Sequence, residues 1–135
     1  MQYQNILTTC IYCGAGCGLY LQVLDGEIVG VLPPKEHPIA RGKLCINGWN
    51  ATSFVYHSDR LKTPLIRRGG SLEEATWEEA LTLVADKLIA TRDQFGPDSL
   101  AFLASAKCTN EENYLIQKLA RAVFKTNNVD HCARL

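Results

Sequence analysis

No stretch of this sequence approaches the roughly 18 consecutive apolar residues that a membrane-spanning helix requires, so no membrane span is expected. Neither sign of charge is in excess: 14 lysines and arginines stand against 14 aspartates and glutamates, which argues against a nucleic-acid partner or any other polyanion. The opening Met1-Gln2-Tyr3-Gln4-Asn5 has no basic start, no apolar stretch and no twin arginine, so a cytoplasmic protein is expected. Internal repeats and low-complexity tracts are also missing. What the chain does have is cysteine, six among 135 residues. A reducing cytosol disfavours structural disulfides, and a chain of this length can bury a core without them, which leaves metal as the leading explanation.

The cysteines are unevenly placed. Cys10, Cys13, Cys17 and Cys45 lie in the first third, whereas Cys108 and Cys132 stand alone near the end and read as buried thiols. Gly18 to Leu24 reads as a strand, Asp25-Gly26 as a two-residue hairpin turn, and Glu27 to Leu32 as the returning strand. A loop with prolines at 33, 34 and 38 then delivers the chain to Gly42-Lys43-Leu44-Cys45. Residues 60–70 show little periodicity and turn residues at both ends, which places a boundary between units 1–59 and 60–135.

Beyond that boundary the spacing becomes helical. Thr76 and Glu79 form a capping-box signature, and Ala80, Leu81, Val84, Ala85, Leu88 and Ile89 recur at three- and four-residue intervals up to Gly96-Pro97. Leu100 to Ala104 suits a buried strand, and a second capping box at Thr109 and Glu112 opens a helical stretch through Phe124. The expected class is α+β: a small β-rich domain followed by the opening of an α/β domain with too few strands to be complete.

Cys10-x2-Cys13-x3-Cys17 and Cys45, 27 intervening residues later, supply four thiolates, the ligand count of a [4Fe-4S] cluster. Gly14, Gly16 and Gly18 interleave them, as expected if backbone N–H groups must come close to inorganic sulfide. A tetrahedral zinc site is the alternative, although structural zinc sites usually pair two Cys-x2-Cys knuckles and only one cysteine is available for the second half. His37, His57 and His131 lack partner motifs and read as loop or surface residues; Trp49 and Trp77 read as packing residues.

These cysteines resemble those of the molybdopterin oxidoreductase superfamily, whose large subunits begin with a small iron–sulfur domain of this pattern. The likeness extends through Arg60-Leu61-Lys62-Thr63-Pro64-Leu65-Ile66-Arg67, Thr76-Trp77-Glu78-Glu79-Ala80 and Gly96-Pro97-Asp98. Thr126-Asn127-Asn128-Val129-Asp130-His131-Cys132-Ala133-Arg134-Leu135 resembles the segment that precedes the metal ligand of formate dehydrogenases. In that family selenocysteine or cysteine comes next, followed by histidine, and the selenocysteine codon is one that ordinary translation reads as stop. The resemblance therefore implies a selenocysteine enzyme whose catalytic selenocysteine and histidine follow Leu135, with no catalytic residue in these 135. A related enzyme such as a nitrate reductase, or a standalone single-cluster module, is the alternative.

The same resemblance implies a [4Fe-4S] cluster on Cys10, Cys13, Cys17 and Cys45, and molybdenum or tungsten on a bis-molybdopterin guanine dinucleotide. Formate and CO2 would be interconverted, and electrons would pass to partner subunits linked to NAD, ferredoxin or hydrogenase. Family members carry lysine two residues after the fourth cysteine; Asn47 stands there instead, with Lys43 two residues before Cys45. Lys43 and Asn47, together with Thr109 and Asn110 in the segment resembling a pterin-facing loop, are the candidate cofactor-binding residues.

Overall fold

The computed structural model describes residues 1–132. The last three residues of the segment likened to the metal-ligand approach, 133–135, lie outside them.

Three antiparallel strands, β1 (Tyr3–Thr9), β2 (Gly18–Leu24) and β3 (Glu27–Leu32), form the first sheet in that order, with β2 in the centre. The β2–β3 turn is the expected one. Asp25 (φ 49°) and Gly26 (φ 90°) both adopt left-handed backbone, the primed turn whose twist matches that of the flanking strands. β1 was not expected, because Tyr3-Gln4-Asn5-Ile6-Leu7-Thr8-Thr9 lacks clean alternation. It gains its conformation by pairing along its full length with β2, from Tyr3 against Leu24 to Thr9 against Gly18. Leu19, 1% exposed, packs with Cys10 and Val31 as the core of this unit. A short helix α1 (Ile46–Trp49), also unforeseen, follows Cys45. The Tyr56 hydroxyl accepts the Ile28 N–H at 2.8 Å and ties the following turns to β3.

The stretch 60–70 is not the featureless linker expected. Its second half is β4 (Leu65–Arg68), paired with β5 (Ser71–Glu74) across Gly69 (φ 55°) and Gly70 (φ 94°). Helix α2 (Trp77–Phe95) begins on the expected capping box: the Thr76 hydroxyl accepts the Glu79 N–H at 3.2 Å and the Glu79 carboxylate accepts the Thr76 N–H at 2.9 Å. It ends at Gly96 (φ 86°), and Pro97–Ser99 forms a 3-10 turn. No residue of α2 is buried, so its apolar stripe, including Leu81, Val84 and Ile89, faces outward within these residues.

Strand β6 (Phe102–Ser105) runs parallel to β7 (Val129–Cys132), which was not anticipated, with Phe102 opposite Val129 and Ser105 opposite Cys132. Parallel neighbours need a crossover, and α3 (Asn110–Lys118) provides it, capped by the expected Thr109–Glu112 box. α3 then widens into a π turn over Leu119–Phe124, closed by left-handed Lys125 (φ 60°). Beneath it Phe124 stacks obliquely on Phe102 with ring centres 5.6 Å apart, and Ala120 and Leu100 are buried. Thr126, 1% exposed, donates to the Asp98 carboxylate at 3.0 Å and accepts the Asn128 N–H at 3.3 Å; the Asn128 amide donates to the carbonyls of Asp98 and Leu100.

Four burial expectations are corrected. Cys132 is exposed because it ends β7 at the edge of the two-stranded β6–β7 layer, and Cys108 is only half-buried because it lies in the turn that follows β6, its N–H donating to the Ser105 carbonyl at 3.1 Å. Trp49 and Trp77 are 49% and 67% exposed rather than packed inside; Trp77 borders an open groove with residues 60–64.

Candidate metal centre

The triad Cys10, Cys13 and Cys17 occupies the loop of the β1–β2 hairpin. Thr9 opposite Gly18 is the last strand pair, and beyond it the Cys10 N–H donates to the Cys17 carbonyl at 2.8 Å, closing the loop at its base. Cys10 is buried over Leu19 and Val31, while Cys13 and Cys17 are half-buried above it.

The fourth cysteine arrives by a separately braced turn. The His37 carbonyl accepts the Arg41 N–H at 3.0 Å, Pro34 that of Gly42 at 2.9 Å, and Ala40 that of Lys43 at 2.8 Å. Arg41 (φ 46°) and Gly42 (φ 75°) both take left-handed backbone to make the bend. The Arg41 guanidinium Nε donates to the Pro38 carbonyl at 2.9 Å, which offsets some of the cost of that conformation in a residue with a Cβ. Cys45 then sits at the start of α1, exposed and making no side-chain cap to the helix.

These two routes bring Cys10, Cys13 and Cys45 within electrostatic reach of Cys17. Burial pushes the Cys17 thiol above its ordinary pKa, and the neighbouring Cys10, Cys13 and Cys45 each push it further. Thiolates crowded in this way repel one another until a cation neutralises them. Among the described residues no three His, Cys, Asp or Glu side chains converge tightly enough for a single metal ion; the four thiols are neighbours rather than ligands drawn to one point. Four soft sulfurs at one end of the sheet, no competing disulfide and glycines between them are the donor chemistry of a four-cysteine iron–sulfur cluster.

Two of the interleaved glycines have a further reason to lack a side chain. A Cβ on Gly14 would collide with the Asn110 amide, which instead donates to the Gly14 carbonyl at 2.9 Å. A Cβ on Gly18 would strike the His37 ring. Asn110 therefore reaches across 96 positions from the start of α3 to hold the loop between Cys10 and Cys17. Thr109 spends its hydroxyl on the Glu112 N–H at 3.2 Å. Lys43 and Asn47 are exposed on either side of Cys45. His37 is not the unpartnered loop residue expected: its Nδ1 accepts backbone N–H groups, a kind of partner that leaves no signature in the side-chain sequence. His57 and His131 are exposed, as expected.

A mixed strand-and-helix chain with a three-thiol hairpin and a fourth cysteine beyond it at its start, and a parallel βαβ unit at its end, defines a class. The chain belongs to the molybdopterin oxidoreductase family: residues 60–135 match that family and residues 3–57 match the molybdopterin oxidoreductase Fe4S4 domain. Among curated proteins it is 54% identical, over its whole length, to the F420-dependent formate dehydrogenase 1 subunit alpha of Methanococcus maripaludis. It is 51% identical over 99% of its length to the second such subunit of that organism, and 47% identical over all of it to the F420-dependent formate dehydrogenase subunit alpha of Methanocaldococcus jannaschii. The chain spans 19% of the length of each of these relatives. No described helix is long and apolar enough to cross a membrane.

Proposed function

We propose that this chain is the iron–sulfur-binding N-terminal part of a formate dehydrogenase alpha subunit, in which Cys10, Cys13, Cys17 and Cys45 hold one [4Fe-4S] cluster. The observation that carries the reading is the hairpin loop that holds Cys10, Cys13 and Cys17 at the end of the first sheet, within the stretch 3–57 that matches the Fe4S4 domain and also contains Cys45. When bound, the cluster supplies one-electron transfer between formate chemistry at a molybdenum or tungsten bis-molybdopterin guanine dinucleotide and an external acceptor.

The chain's own residues do three things in this scheme. The hairpin loop presents three thiolates in fixed order, and the Arg41-Gly42 bend brings the fourth. The core of Leu19 and Val31 keeps water from the Cys10 side. Asn110 fixes the cluster loop against the first turn of α3, the region that the family resemblance turns toward the pterin. Thr109 and Asn110 thus act on the protein first, and their contribution to a cofactor is through the positions they hold. Lys43 and Asn47 flank Cys45 on its exposed side, where either can line the path of an electron leaving the cluster. The names of the relatives favour a deazaflavin-linked partner subunit as acceptor over NAD-, ferredoxin- or hydrogenase-linked ones.

The test is anaerobic purification of the full-length enzyme that carries this segment, with iron, sulfide and zinc analysis, visible and EPR spectra, and formate-dependent reduction of a viologen dye and of F420. Loss of one cluster's iron and EPR signal in a Cys45→Ala variant, with loss of formate-dependent reduction, is the expected result. A colourless protein with one zinc on four thiolates refutes the cluster, and a protein with the cluster but no formate turnover refutes the substrate. The 135 residues alone are expected to show no formate-dependent dye reduction.

A further inference from the structure

We propose that His37 is a positioning residue for the cluster: one imidazole nitrogen joins the two separately built halves of the thiolate set. The inference rests on the reading that Cys10, Cys13, Cys17 and Cys45 hold a [4Fe-4S] cluster.

Three backbone N–H groups converge on His37 Nδ1, those of Gly18 at 3.4 Å, Ile39 at 3.3 Å and Ala40 at 3.3 Å. An imidazole nitrogen accepts through its in-plane lone pair, so these three N–H groups share one acceptor site. The donors come from both sides of the site. Gly18 directly follows Cys17 and opens β2. Ile39 and Ala40 enter the Arg41-Gly42 bend that delivers Cys45. His37 Nδ1 is therefore the point at which the hairpin that carries three thiols is fastened to the turn that carries the fourth.

Two further features fit this role. The ring occupies the space a side chain at position 18 would need, with Nε2 2.6 Å from where that Cβ would stand, so Gly18 admits the imidazole. The ring is half-buried between buried Gly18 and buried Ala40, and the His37 carbonyl independently accepts the Arg41 N–H, which fixes the residue's own backbone. The role goes beyond folding because one of these N–H groups, that of Gly18, directly follows Cys17. Hydrogen bonds to cluster sulfurs and solvent access set the potential of an iron–sulfur centre. By engaging the Gly18 N–H, His37 fixes the backbone next to Cys17.

The experiment compares the full-length holoenzyme with His37→Ala, His37→Gln and His37→Asn. Asparagine places its Oδ1 near the position of Nδ1 and can accept the same N–H groups; glutamine places its oxygen near Nε2 and cannot. Three quantities are read: deuterium uptake of the peptides containing Gly18 and Ile39-Ala40, the rate of iron release to a chelator, and the midpoint potential of this cluster by EPR redox titration. For alanine and glutamine the expected result is faster exchange in both peptides together, a displaced potential, and iron release faster by on the order of tenfold, the equivalent of one net hydrogen bond. Asparagine is expected to restore all three. Alanine behaving as wild type, exchange rising in one peptide only, or asparagine performing no better than alanine overturns the proposal. A wild-type enzyme without the cluster refutes the functional reading instead, and the exchange measurement on the same protein still reports on His37 alone.

Discussion

Replacing Thr126 with valine changes almost nothing in shape and removes a hydroxyl that serves two partners. That hydroxyl donates to the Asp98 carboxylate at 3.0 Å and accepts the Asn128 N–H at 3.3 Å, in a residue only 1% exposed. A hydrogen bond to a charged group is worth about 1.5–3 kcal/mol net, and a stranded buried donor adds to the loss. Asp98 is itself exposed and regains water, which holds the expected cost to about 2 kcal/mol. Serine at the same position keeps both bonds and loses one buried methyl, a cost of about 1 kcal/mol. With a denaturant slope of about 2 kcal/mol per molar urea, the valine midpoint falls by about 1 M and the serine midpoint by about half as much. Urea titration followed by far-ultraviolet circular dichroism measures both. If valine matches wild type, or serine falls below valine, the Thr126 hydroxyl is not what joins β7 to the Asp98 turn.

Removing the Asn110 amide with Asn110→Ala should cost about 1 kcal/mol, one neutral hydrogen bond, and speed proteolytic nicking between Cys10 and Cys17. Unchanged cleavage kinetics would separate α3 from the Cys10–Cys17 loop. The Glu79 carboxyl is held below its ordinary pKa, first by the Thr76 N–H and then by the Thr76 hydroxyl, with Arg68 adding to the effect. Its contribution to α2 is therefore fully present above the ordinary glutamate pKa and is lost as pH falls through the lower folded value; Glu79→Gln keeps the capping geometry and should remove that acid-dependent loss of helix signal. Gly18→Ala is expected to displace the His37 ring and raise deuterium uptake at Ile39-Ala40, far along the chain from the substitution; uptake confined to the peptide around residue 18 would contradict the contact.

Much of the local structure was legible because it depends on near neighbours. Asp25-Gly26 announced its turn, and both capping boxes placed helix starts to the residue, since each is a contract between side chains three positions apart. Elements defined by distant partners were not legible. Val129-Asp130-His131-Cys132 has one β-branched residue and becomes a strand because β6 lies beside it. Leu65-Ile66-Arg67-Arg68 reads as linker because its partner strand, Ser71-Leu72-Glu73-Glu74, is exposed throughout and its one apolar residue, Leu72, gives no alternation. The cysteine spacing identified the candidate ligands directly, but the residues that hold them in place were hidden. His37 and Asn110 act on backbone atoms of Gly18, Ile39, Ala40 and Gly14, and a backbone N–H or carbonyl looks the same at every position.

The placement of three cysteines in a hairpin loop also sets an order of closure cost. Cys10 and Cys17 are brought together by closing seven residues of chain, whereas Cys45 must return from 28 residues beyond Cys17, a difference in closure entropy of about 1 kcal/mol. Closure entropy therefore favours gathering the three thiols of the β1–β2 hairpin over returning Cys45 to them. On the proposed cluster reading, iron and sulfide would meet three thiols already gathered in one loop, with Cys45 still to join them from the side of α1.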